Sequence, residues 1–130
     1  MQTYPIMDKQ GYPFAFEIEN AYVGTRAISR LLESLNGVSA VRARTLFGKW
    51  EDVHIWFQYK DRDYVVLEPY GDSSRYWIGP KEASEKALDV GDIENVFKQY
   101  CPPLHRQILG DVLTLRLFKR LIGLETKKGD

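Results

Sequence analysis

The sequence predicts a two-layer α+β domain: a mainly antiparallel five-stranded sheet, chain order β-α-β-β-β-β-α-α, with its helices on one face. Three observations predict it. Apolar and polar residues alternate with period two in stretches between Phe14 and Ile78. Apolar residues recur at i, i+3 and i+4 after Thr25, after Asp92 and after Pro103. Gly, Pro and Asp stand at the junctions between these stretches.

The first strand is read from Phe14, Phe16 and Ile18, which alternate with Ala15, Glu17 and Glu19. Thr25 is placed to cap a helix whose Ala27, Ile28, Leu31, Leu32 and Leu35 make one stripe, ended by Gly37 after Asn36. A start at Asn20, taking in Tyr22 and Val23, is the competing boundary. From Val38 the period returns to two, with Val41, Ala43 and Thr45 on one side and Arg42, Arg44 and Leu46 on the other. Beyond Gly48-Lys49, Val53, Ile55, Phe57 and Tyr59 alternate with His54, Trp56, Gln58 and Lys60, and Tyr64 to Leu67 continues the sheet.

Register decides which side chains meet, because a slip of one residue exchanges the faces of a strand. A loop at Gly48-Lys49-Trp50 pairs Val41 with Phe57, Ala43 with Ile55, Arg42 with Trp56 and Arg44 with His54. A three-residue loop at Asp61-Arg62-Asp63 sets Tyr59 opposite Val65 and Phe57 opposite Leu67. The stretch from Glu68 to Pro80 reads as a wide hairpin, with a turn-rich segment from Tyr70 to Ser74 and a fifth strand from Arg75 to Ile78. With Arg75 near Glu68, Tyr76 and Ile78 point to the core and Trp77 to the outer face. Where the first strand inserts is left open.

Lys81 to Leu88 reads as an irregular or short helical connection. Asp92 is placed as N-cap of a helix presenting Ile93, Val96, Phe97 and Tyr100, stopped by Pro102-Pro103. The last helix, from about Pro103 to Ile122, carries two apolar stripes. Leu104, Ile108, Val112, Leu115, Phe118 and Ile122 form one; Leu109, Leu113, Leu117 and Leu121 form the other. One face against a sheet cannot cover both. The second stripe, flanked by Gly110 and Thr114, suits close approach by another helix from a second copy of the chain or from within the monomer.

Composition bounds the function. At 130 residues and 44% hydrophobic, the chain suits one domain over 1–124 with a polar tail from Glu125 to Asp130. Eighteen basic and eighteen acidic side chains cancel, so no global field steers the protein to nucleic acid or an anionic membrane. Cys101 is the lone cysteine, which suits a reducing compartment. Met1 to Gln10 lacks the pattern of a secretory signal, and no apolar run approaches the ~18 residues of a membrane span. A cytoplasmic location is the expectation.

The candidate working surface is the outer sheet face with the loop that follows it. Arg42, Arg44, His54, Trp56, Gln58, Tyr64, Val66 and Trp77 would stand on that face, and Tyr70, Asp72 and Arg75 in or beside the loop. Rings and cations together suit an aromatic or anionic ligand, a peptide, or stacked bases of a single strand. Sheets use such residues anyway, and cross-strand aromatic pairs stabilise them by ~0.2–1 kcal/mol each. Glu17, Glu19 and Glu68 on the same face argue against nucleic acid.

Catalytic signals are sparse. Cys101 and His105 are near in sequence, but two prolines at a helix junction explain their spacing. Asp52 and His54 share a strand face, yet two groups do not make a metal site. No dinucleotide, P-loop, zinc-protease or nucleophile-elbow motif is present, so no cofactor or metal is expected. The leading expectation is a non-enzymatic, self-associating binding module for a protein or small ligand, with a homodimer through Leu109, Leu113, Leu117 and Leu121. The alternatives are an enzyme with a site near Asp52, His54, Glu68 and Arg75, and a weak single-stranded nucleic-acid binder.

Overall fold

The computed structural model describes residues 1–44, 53–69, 74–82, 88–113 and 115. The elements are β1 (Thr3–Met7), β2 (Pro13–Glu19), α1 (Thr25–Glu33), β3 (Val38–Ala43), β4 (Val53–Tyr59), β5 (Arg62–Leu67), β6 (Arg75–Pro80) and α2 (Gly91–Gln99). A third helix, α3, covers 104–113. The fold is α+β, with an antiparallel sheet in the order β1-β2-β6-β5-β4-β3. It has one strand more than the sequence predicts. The added strand, β1, is an edge strand and contains Pro5, whose missing N–H is tolerated there. The strand from Phe14 lies between β1 and β6.

Alternation produces the two faces. Phe16 and Ile18 of β2, Tyr76 and Ile78 of β6, Tyr64 and Val66 of β5, and Ile55, Phe57 and Tyr59 of β4 all enter one buried cluster. Ile28 and Leu32 of α1 and Ile93 and Phe97 of α2 close it from the other side. Each fully buried Ile or Phe contributes about 1.5–3 kcal/mol over leaving it exposed. Phe16 meets Phe97 with ring centroids 5.5 Å apart, tying α2 to β2. α1 lies on β3 and β4, and α2 lies by β1 and α1.

The register at β3 is partly as expected. Arg42 faces Trp56 and Ala43 faces Ile55, and the Arg44 N–H donates to the His54 carbonyl at 2.7 Å. A shift between Ser39 and Arg42, where Ala40 takes φ 52°, inserts an extra residue. The β4–β5 hairpin differs from the expected three-residue loop. Tyr59 faces Arg62, Phe57 faces Tyr64 and Trp56 faces Val65, around a two-residue turn of Lys60 (φ 49°) and Asp61 (φ 64°), which turns Tyr64 and Val66, expected on the outer face, into the core. Two successive left-handed residues match the twist of the flanking strands, and this decides the turn despite the lack of Asn or Gly. At β5–β6, Leu67 faces Trp77, one residue from the expected register, with Tyr76 and Ile78 still on the core side.

The helix boundaries also move. Gly24, not Thr25, is the N-cap of α1, without a side-chain cap bond, and Tyr22 and Val23 precede the helix. Val90, not Asp92, is the N-cap of α2. Asp92 and Glu94 occupy the first turn, where carboxylates complement the helix dipole. Tyr100 is extended (ψ 127°), ending α2 before Pro102-Pro103. The tail from Glu125, and the part of the last helix beyond 115, lie outside the described residues, as does most of Lys81 to Leu88.

Candidate functional site

The outer sheet face can be followed along its rows. One runs from Ile6 to Ala15, then to Gly79, Val65, Trp56 and Arg42. Arg42 is exposed and Trp56 half-buried, as expected for a surface pair. The middle of the row is closed: Ala15 and Val65 are buried. A Cβ built on Gly79 would stand 2.6 Å from Trp77 Cη2 and 2.8 Å from the Ala15 Cβ. The half-buried Trp77 indole therefore lies across Gly79, two residues along its own strand, and fills the place of the missing side chain. Trp77 is on the outer face, as expected, but much of its ring serves the sheet.

Arg75 is also engaged within the chain. Its guanidinium carbon is 3.7 Å from the centroid of the Tyr4 ring, a cation–π contact. The Tyr4 hydroxyl donates to Glu19 Oε1 at 2.7 Å. Partial burial and the Glu19 carboxylate raise the Tyr4 pKa above 10.0. Tyr4 was outside the predicted site because the first ten residues carry no strand alternation.

His54 departs from its predicted neighbourhood. The register of β4 against β5 shifts between Val53 and Ile55. The extra residue turns His54 toward the core side, a re-aiming that bulges produce. Its Nε2 lies 3.2 Å from Glu68 Oε1, and its ring meets Tyr76 edge-on at 5.5 Å. Burial, then the Glu68 carboxylate, raise the Tyr76 pKa above 10.0, and the Arg106 charge from α3 opposes them. Of the other residues suggested for an enzymatic site, Arg75 lies instead on Tyr4, and Asp52 is outside the described residues, as are Tyr70 and Asp72. Exposed Cys101 accepts from Gln107 Nε2 at 3.6 Å. Among the described residues no three His, Cys, Asp or Glu side chains gather as a metal site.

The third feature is how α3 docks. Gly110 is buried, and a Cβ there would lie 2.3 Å from Tyr22 Cε1. The Tyr22 hydroxyl donates to Asp111 Oδ1 at 2.9 Å, and Gln107 Nε2 donates to the Pro102 carbonyl at 2.6 Å. Arg106 passes over Gly24, whose Cβ would be 3.1 Å from Nη2. At 100° per residue, 106, 107, 110 and 111 share one side of the helix. That polar, glycine-bearing side faces the body.

The described members of both predicted apolar stripes are exposed. Leu104 is 71% exposed, Ile108 55% and Leu115 51%, while Leu109, Val112 and Leu113 are 41–45% exposed. Among the described residues neither stripe is buried by the sheet, α1 or α2, so Leu109 and Leu113 lack the intrachain helix cover that was one of the two expectations for the second stripe. The low ridge expected at Gly110 is already occupied by Tyr22. Leu117 and Leu121 lie outside the described residues. A wheel identifies the stripes, but the signal for the docking side was the polar series Arg106, Gln107, Gly110 and Asp111. No helix among the described residues is long and apolar enough to cross a membrane. Comparison of the chain with protein-family models, curated proteins and solved structures found no match.

Proposed function

We propose that the protein is a non-enzymatic interaction module that self-associates through the outward half of α3. One observation carries this: the helix docks by its polar side and turns its large apolar residues to solvent. Those at 104, 108, 109, 112, 113 and 115 together leave on the order of 500 Å² of apolar surface open, toward the upper end for a monomer. Two such faces give ~1,000 Å², where specific interfaces begin. A second copy brings a surface of the same chemistry, and two helices with broad apolar faces can pack ridge into groove. The outer sheet face is a secondary contact surface through Arg42 and Trp56, because Arg75 and Trp77 already have intrachain contacts.

Light scattering across the micromolar range tests the proposal. The native chain should reach twice its monomer mass, and Ile108→Glu with Val112→Glu should return it to monomer. Both positions are exposed, so the circular dichroism of the fold should persist. A native chain that stays monomeric throughout that range overturns the self-association.

A further inference from the structure

We propose that the pairing of α3 faces is gated by protonation of His105: two copies join while this imidazole is neutral and part as the solution is acidified. The inference rests on the self-association proposed above and names its regulation. His105 is exposed, in the first turn of α3. At 100° per residue it lies about 170° around the helix from the middle of the docked side formed by 106, 107, 110 and 111. Its neighbours along the outward surface are Ile108, Leu109 and Val112, at i+3, i+4 and i+7, which are 42–55% exposed. The centre line of the apolar face therefore carries an ionisable group.

Pairing the faces takes His105 out of water. A neutral imidazole has an apolar body and fits a helix seam, whereas an imidazolium must give up its hydration among apolar side chains. The charged groups near it do not offset that cost. On α3 itself Asp111 lies about 120° around the helix and holds the Tyr22 hydroxyl, and Arg106 lies about 100° around, over Gly24. Cys101, the titratable group just before the helix, accepts a hydrogen bond from Gln107 on the docked side. His105 is exposed, so no described element of its own chain covers it. Across the pair it meets a second copy of the same face, with its own His105. The next three charged residues of the chain beyond the described part of α3 are Arg116, Lys119 and Arg120, all cations. A partner's His105 and a partner's cation both oppose the imidazolium, in the same direction as burial.

Proton and partner then compete for the same group. Free imidazole takes up its proton near pH ~6.5, inside the physiological window. The unpaired chain binds that proton more tightly than the pair, so pairing is whole above this pH and is lost below it. One His105 on each copy, each opposing pairing up to about tenfold between pH 7.5 and 5.5, weakens the pair up to about a hundredfold. His54, the other of the chain's two histidines, stands on β4 against Glu68 and Tyr76, within its own chain.

The test is sedimentation equilibrium of the full chain across the micromolar range at about pH 7.5 and 5.5, with circular dichroism recorded at both. The native chain should pair at the higher pH and need up to about a hundredfold more protein to pair at the lower. His105→Leu should pair alike at both, and His54→Gln should keep the native response. A native chain that is monomeric at both pH values overturns the self-association, and this inference with it. A native chain that pairs as tightly or more tightly at the lower pH overturns the gate alone and leaves the self-association standing. So does a His105→Leu chain that dissociates in acid as the native chain does, or loss of the acid response in His54→Gln.

Discussion

Gly110→Ala is the sharpest probe of how α3 is held. In an exposed helix this change stabilises by about 1 kcal/mol, because alanine loses less backbone freedom on folding. Here the added methyl would lie 2.3 Å from Tyr22 Cε1 and 2.5 Å from both Cδ1 and Cζ. Carbon atoms settle at ~3.5–4.0 Å, so helix and ring must separate by more than about 1 Å. The ring cannot simply swing aside, because its hydroxyl is tied to Asp111 at 2.9 Å and that bond would stretch with the helix. Overpacking of this kind costs about 1–3 kcal/mol, which exceeds the gain in helix propensity. The expected result in urea unfolding, read by circular dichroism, is a net loss of about 1–2 kcal/mol. If α3 lifts as a local unit, the amide signals of Tyr22, Gly24 and Asp111 shift instead, with little change in global stability. A variant about 1 kcal/mol more stable than the native chain, with an unmoved Tyr22 environment, would refute the docking described here.

Gly79→Ala should destabilise by about 1–3 kcal/mol, since the new methyl would meet the Trp77 indole at 2.6 Å, and tryptophan fluorescence should shift to the red as the ring is displaced. An unchanged spectrum would mean that Trp77 does not lie over Gly79. The Tyr76 phenol ionises above 10.0 in the folded chain because burial, then Glu68, oppose its anion more than Arg106 favours it. A raised folded pKa means that the native state holds its proton more tightly. The associated stability is whole below pH 10.0 and falls as pH rises through the folded value. In alkaline titration followed by phenolate absorbance, Tyr76→Phe should remove a late-titrating component, and Glu68→Gln should move that component to lower pH. Loss of an early component instead would contradict the placement of Tyr76.

How much of this was legible in the sequence depended on whether the cause was local. Period-two alternation identified the core sides of Phe16, Ile18, Ile55, Phe57, Tyr76 and Ile78, because an apolar face and a polar face differ at every second residue. It also brought Arg42 to Trp56. Alternation is silent about bulges, and the extra residue beside Val53 carried His54 away from the outer face to Glu68 and Tyr76. The Lys60-Asp61 turn was missed because setting Tyr59 opposite Val65 and Phe57 opposite Leu67 kept the faces apolar and favoured a three-residue loop, although Asp61 is of a type that visits the left-handed region. β1 was missed because Pro5 interrupts a run that pairs only on one side. On α3 the stripes were plain, but which side docks depends on Tyr22 meeting a glycine 88 residues later, which no local pattern records.

The two outermost strands bear on how copies of the chain can join. β1 carries Pro5 and a register shift at Ile6 and Met7, and β3 is broken by the bulge at Ala40. Neither presents a straight, unbroken ladder to a neighbouring sheet, the usual template for open-ended strand addition. Growth by sheet extension is thus blunted at both ends. A two-fold pairing of α3 faces, in contrast, consumes the same patch on each copy and leaves none for a third. In the self-association proposed above, the interrupted edges and the outward helix would favour closure at two over polymerisation.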